Sequence, residues 1–92
     1  MSDFAEKAVE RFIRSECLAT GKGEHTIASS ELFDAYREWA DYYAEPGLST
    51  MSFSKAAAKV LRSNKFDDID GIPRPIWRAK QSTIHYQGVV FK

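Results

Sequence analysis

One cysteine in 92 residues has nothing to pair with. Cys17 therefore excludes an internal disulfide and fits a reducing compartment. Long apolar runs are also missing: none approaches the roughly 20 residues that a membrane span needs. Glu6, Lys7, Glu10, Arg11 and Arg14 break up the first apolar stretch, which speaks against a secretory leader. His25 and His85 lie far apart without cysteine or glutamate partners at ligand spacing, so no metal site is expected. Asp68-Ile69-Asp70-Gly71 faintly resembles a calcium loop. Counting back from its glycine, however, puts Phe66 at the first ligand position and Trp77 at the last, and neither can ligate. There is no G-x-x-x-x-G-K-[ST] nucleotide loop and no Ser/His/Asp or paired-carboxylate arrangement. The chain is expected to be neither an enzyme nor the holder of a cofactor. It shows no internal repeat and no low-complexity tract. At this length it makes one domain, residues 1–92, able to bury about 60–65% of its unfolded surface.

Excess charge of either sign is absent as well, with 13 basic and 13 acidic side chains. The balance hides a polarity. Residues 1–50 carry five basic and ten acidic groups, a net of −5; residues 51–92 carry eight and three, a net of +5. A chain that sorts its charges by segment offers one positive face to something anionic.

Hydrophobic periodicity supplies the elements. Asp3 with Glu6 reads as a capping box for a first helix, with Ala5, Ala8, Val9, Phe12, Ile13 and Cys17 on its apolar face. Thr20-Gly21-Lys22-Gly23 ends it, and His25-Thr26-Ile27-Ala28 is long enough for a brief strand. Ser29 and Ser30 are the expected N-cap of a second helix with Leu32, Phe33, Tyr36, Trp39, Ala40 and Tyr43 inward, stopped at Pro46-Gly47. Ser49 is the expected cap of a third, burying Phe53, Ala56, Ala57, Val60 and Leu61 and exposing Ser52, Lys55, Lys59, Arg62 and Ser63. Asp67 to Gly71 reads as loop. Alternating β-formers then give strands at 76–80, 83–86 and 89–91, with Lys80-Gln81-Ser82 as a hairpin tip and Pro73 and Pro75 suiting an edge.

Helix, short strand, helix, tight turn, helix and C-terminal β-hairpin is the order of an α+β winged helix-turn-helix domain. There the last helix stays open on one side to enter the major groove. Its inner face must be small, as Ala56 and Ala57 are. Its outer face must carry cations for phosphates and short polar groups for base edges. Lys55, Lys59 and Arg62 recur on one stripe beside Ser52, while Ser49 and Thr50 open the helix, where backbone N–H groups can hold a phosphate. Arg74, Arg78 and Lys80 on the hairpin complete the expected nucleic-acid surface, with duplex DNA as the expected partner.

The run Thr26-Ile27-Ala28-Ser29-Ser30-Glu31-Leu32-Phe33-Asp34-Ala35-Tyr36-Arg37-Glu38-Trp39 resembles the signature of a known group. This is the winged-helix C-terminal domain of phage and plasmid primase-helicases of poxvirus type. Leu48-Ser49-Thr50-Met51-Ser52-Phe53 resembles that group's entry to the recognition helix, and Tyr86-Gln87-Gly88-Val89-Val90-Phe91-Lys92 its closing strand. The resemblance covers about residues 8–92. It implies a DNA-binding module of a phage or plasmid replication system, working in the cytoplasm of a bacterial host beside a helicase.

A second reading comes from Glu31, Asp34, Glu38, Asp41 and Glu45, an acidic stripe on the outside of the second helix. Such a row imitates phosphates and suits a basic protein surface. It would make the chain a small phage-encoded inhibitor or adaptor with a protein partner.

Overall fold

Ala8, Val9, Phe12 and Ile13 return every three or four residues and all are buried, as one face of α1 (Asp3–Glu16). The chain is described here by a computed structural model over residues 3–80 and 82–92, with Asp3 placed by its backbone alone. The Asp3 side chain of the expected capping box and Gln81 at the hairpin tip lie outside the described residues.

α2 (Ser29–Tyr42) buries Leu32, Tyr36, Trp39 and Ala40, and α3 (Thr50–Ser63) buries Phe53, Ala56, Ala57, Val60 and Leu61. The two begin differently. Ser49 caps α3 as expected: its Oγ accepts from the Ser52 N–H at 3.1 Å. The expected serine cap of α2 is corrected to Ala28, which has no side-chain oxygen to offer. Ala28 pairs with His85 in a β-ladder, so the backbone stays extended through 28, and both serines fall inside the first helical turn. At the far end of α2 the Tyr43 N–H donates to the Trp39 carbonyl and the Glu45 N–H to the Ala40 carbonyl. This closure puts Ala44 at φ 54°, a left-handed position usually given to glycine.

Cys17 was expected on the first helix but belongs to a strand, β1 (Cys17–Ala19). Nothing between Glu16 and Cys17 breaks a helix. The partner that pulls the chain straight is β7 (Val89–Phe91), at the other end of the sequence, with Cys17 opposite Phe91 and Ala19 opposite Val89. A three-stranded antiparallel sheet follows the order β2 (Thr26–Ala28), β6 (Ile84–Gln87), β5 (Trp77–Lys80). Where the residues 67–71 suggest a loop, β3 (Phe66–Asp67) pairs with β4 (Pro73–Arg74) and only 68–72 turns between them. Arg74 therefore stands on its own small ribbon, apart from the β5–β6 hairpin on which it was expected.

Gly88 joins the two larger sheets. β6 and β7 form one extended run that bends there at φ 75°. The Gly88 N–H donates to the His25 carbonyl at 2.8 Å, and its own carbonyl accepts from the Thr20 N–H at 2.7 Å. A Cβ at this position would lie 2.7 Å from the Trp77 ring, so a side chain is excluded by space as well as by backbone angle.

Beneath the helices, Phe12 meets Tyr36 edge-on at 5.5 Å and Tyr36 meets Phe53 at 5.2 Å, so all three helices share one aromatic cluster. The Tyr36 hydroxyl donates to the Pro46 carbonyl at 2.7 Å and fixes the turn into α3. α3 packs chiefly on α1, where Ala56 and Ala57 allow close approach. The Cα radius of gyration, 12.1 Å, is that of one compact body of this length.

Candidate nucleic-acid interface

The outer face of α3 is set by its inner one. With Phe53, Ala57 and Val60 locked in the core, helical spacing turns Met51, Lys55 and Arg62 to the opposite side, and all three are exposed. Among the described residues neither Lys55 nor Arg62 has an acidic partner within 4.0 Å. Lys59, the middle of the expected stripe, lies nearer α1, where its ammonium sits 3.6 Å from the Glu6 carboxylate. That pair is partly exposed and is worth about 1 kcal/mol or less.

At the start of α3 the Ser49 hydroxyl both accepts from the Ser52 N–H and donates to the Ser52 Oγ, at 3.0 Å for the latter. Two of the expected polar groups thus hold each other. The first turn contains no acidic residue, so the positive end of the helix dipole is not offset there.

Arg78 and Lys80 alternate with Trp77 and Ala79 on β5, opposite Tyr86 and Ile84 respectively. Paired residues point to the same side of a sheet, so both cations emerge on the face toward the helices, where β5 adjoins α3. Trp77 faces the other way, donates to the Gln87 side-chain carbonyl and covers Gly88. Arg74 was expected with the hairpin cations. It is instead held by Asp68 at 3.1 Å and Asp70 at 3.8 Å, which neutralise the small ribbon's positive charge. Lys55, Lys59 and Arg62 thus share α3, Arg78 and Lys80 share the neighbouring strand, and Arg74 stands apart.

The acidic residues occupy a second face. Asp34, Glu38 and Asp41 stand exposed along α2 and border an open groove of about 1000 Å³ beside the α2–α3 turn. Glu31 is exposed in the first turn of α2. Glu45 lies beyond the helix end and is taken by Arg11, a tie between α1 and the turn that periodicity does not reveal.

Burial pushes the Cys17 thiol up to about 12, so it stays protonated and inert. Burial also raises the phenols of Tyr36 and Tyr86. Among the described residues the enclosed Tyr86 hydroxyl makes no hydrogen bond of good geometry; its weak contact with the Ser29 side chain, and then the Arg78 charge, moderate the cost of ionising it. His25 bonds Thr20 through Nδ1 at 2.8 Å, and His85 lies 3.2 Å from the Thr83 carbonyl. Among the described residues no group of three His, Cys, Asp or Glu side chains is placed to hold a metal ion. None of the helices among them is long and apolar enough to cross a membrane. Comparison with protein-family models, with curated proteins and with solved structures finds no match to the chain.

Proposed function

We propose that the chain is a winged-helix module that binds nucleic acid, duplex DNA first, through the outer face of α3 and the adjoining cations of β5. The observation that carries this reading is the pairing state of the cations. Lys55 and Arg62 stand on the side of α3 opposite the core with no carboxylate against them, and Arg78 and Lys80 on the neighbouring strand also lack one among the described residues. Exposed cations clustered on one helix and the strand beside it suit a row of phosphates.

The chain order supports the winged-helix assignment. A strand between the first two helices pairs with the second strand of the hairpin, giving the sheet order β2-β6-β5, and α3 follows α2 after a short turn. In this reading α3 enters the major groove, with Ser52 nearest the bases, Lys55 and Arg62 on phosphates, and the Thr50 and Met51 N–H groups at its start facing a phosphate. Arg78 and Lys80 brace the backbone. In this reading, which takes up the resemblance to primase-helicase C-terminal domains, the module serves phage or plasmid replication beside a helicase in a bacterial cytoplasm.

The test is a titration of duplex and single-stranded oligonucleotides at several salt concentrations. With Lys55, Arg62, Arg78 and Lys80 neutralising phosphates, log affinity for duplex falls against log salt with a slope of about −3 to −4. A flat response rejects the interface.

A further inference from the structure

α2 and α3 carry matching charges at matching intervals. Asp34, Glu38 and Asp41 stand at i, i+4 and i+7; so do Lys55, Lys59 and Arg62. Asp34 to Asp41 and Lys55 to Arg62 each span two turns, about 10 Å along the axis. We propose that the acidic groove beside α2 receives the basic outer face of α3 from a second copy of this chain, a head-to-tail contact that duplex DNA displaces.

Three observations choose this occupant. The first is that spacing, which lets both charge pairs close at once when the helices run parallel. The second is the groove itself: Ala40, Ala44 and Leu48 contribute apolar surface to it while Asp34, Glu38 and Asp41 supply charge. α3's outer face has the complementary make-up, since Met51 is 68% exposed among the cations. An apolar anchor framed by opposite charges is the usual composition of a protein contact. The third is the charge balance. A net charge of zero built from a −5 half and a +5 half removes the repulsion that keeps like copies apart.

Not every charge in the region helps. Arg37 also lines the groove, and Glu45 is already engaged by Arg11. The contact therefore falls on Asp34, Glu38 and Asp41 against Lys55 and Arg62, while Lys59 keeps its place beside Glu6. Because the two faces differ, one contact leaves a groove and a basic face unused, so copies can add in series.

The inference rests on reading α3's outer face as an anion-binding surface, and one experiment separates the two ideas. The weight-average mass of the full chain is measured by sedimentation across concentration, at low salt and at about 1 M salt, where the Debye length is only about 3 Å. The same preparations are titrated with duplex. Two variants accompany it: Asp34→Lys/Glu38→Lys/Asp41→Lys, and Lys55→Glu/Arg62→Glu, each checked for native circular dichroism.

The expected result is a mass that rises above the monomer at low salt and returns to it at high salt. Each variant alone stays monomeric, mixing the two restores the association, and duplex shifts the wild-type assembly to a DNA complex. A wild type that stays monomeric up to about 1 mM while still binding duplex overturns the self-contact and leaves the DNA reading standing. Association that both variants retain also overturns it. Association that passes the salt and variant tests in a preparation that binds no duplex keeps the groove contact but overturns its displacement by DNA, and rejects the DNA reading.

Discussion

α2 and α3 are both 14 residues long, and both press one side into the same aromatic cluster, yet their outer sides carry opposite charges. Among the described residues Lys55 and Arg62 on α3 have no carboxylate within 4.0 Å, and Asp34, Glu38 and Asp41 on α2 likewise have no cation. Two helices with equal packing duties and mirrored surfaces show that burial leaves the exterior open to be chosen for contact. The ends differ too. α3 opens on a side-chain cap and α2 on none, and α2 closes through a strained alanine.

Charge reversal breaks the comparison most sharply. Lys55→Glu/Arg62→Glu is expected to weaken duplex binding at low salt by something on the order of a hundredfold, read by fluorescence anisotropy. Asp34→Lys/Glu38→Lys is expected to leave binding equal or stronger. Both variants are expected to unfold within about 0.5 kcal/mol of wild type, because the replaced groups are solvated. Equal losses from the two reversals would remove the distinction between the faces.

The helix ends give the next effects. Ser49→Ala removes the oxygen that accepts from the Ser52 N–H and should cost about 1 kcal/mol in urea unfolding, whereas Ala28→Ser should gain a few tenths to about 1 kcal/mol by capping α2. Ala44→Gly should add up to about 1 kcal/mol by relieving its left-handed angle. A Ser49→Ala variant as stable as wild type would show that the α3 cap does not hold that turn.

Smaller still is the effect of the Glu6 carboxylate beside Lys59. Glu6→Gln removes one negative charge at the edge of the α3 face and is expected to raise duplex affinity about twofold, since the Glu6–Lys59 pair is worth less than about 1 kcal/mol. Alkaline pH, by contrast, acts on the scaffold that both faces share. The Cys17 thiol and the phenols of Tyr36 and Tyr86 have folded values above their unfolded ones, so their stabilisation is complete below the unfolded values and is lost as pH rises. The thiol sets the window, from its ordinary 9.0 to about 12. Cys17→Ala should remove the early part of that fall in a thermal-melt series.

The helices were legible because their spacing is local: Phe12, Tyr36, Trp39 and Phe53 lie inward as periodicity requires. The brief strand at 26–28, the β5–β6 pairing and the Ser49 cap were equally readable from neighbouring residues. What escaped depends on distant partners. Cys17-Leu18-Ala19 continues a helical pattern and becomes a strand only because Val89–Phe91 pairs with it. The same pairing logic put a cap at Ala28 where two serines looked better suited, and folded 66–74 into a ribbon that claims Arg74 for Asp68 and Asp70. The cation stripe was visible as spacing, but Glu6 is 53 positions before Lys59 and no local rule joins them. The acidic groove needed both α2 and the turn after it in three dimensions.

The most direct test of the α3 face is a nuclear magnetic resonance titration that follows backbone amides as duplex DNA is added. Shifts concentrated at residues 49–62 and 77–80, with those at 31–41 unmoved beyond loss of self-contact, are the result the account requires. Shifts centred on Asp34, Glu38 and Asp41, or none at Lys55 and Arg62, would contradict it.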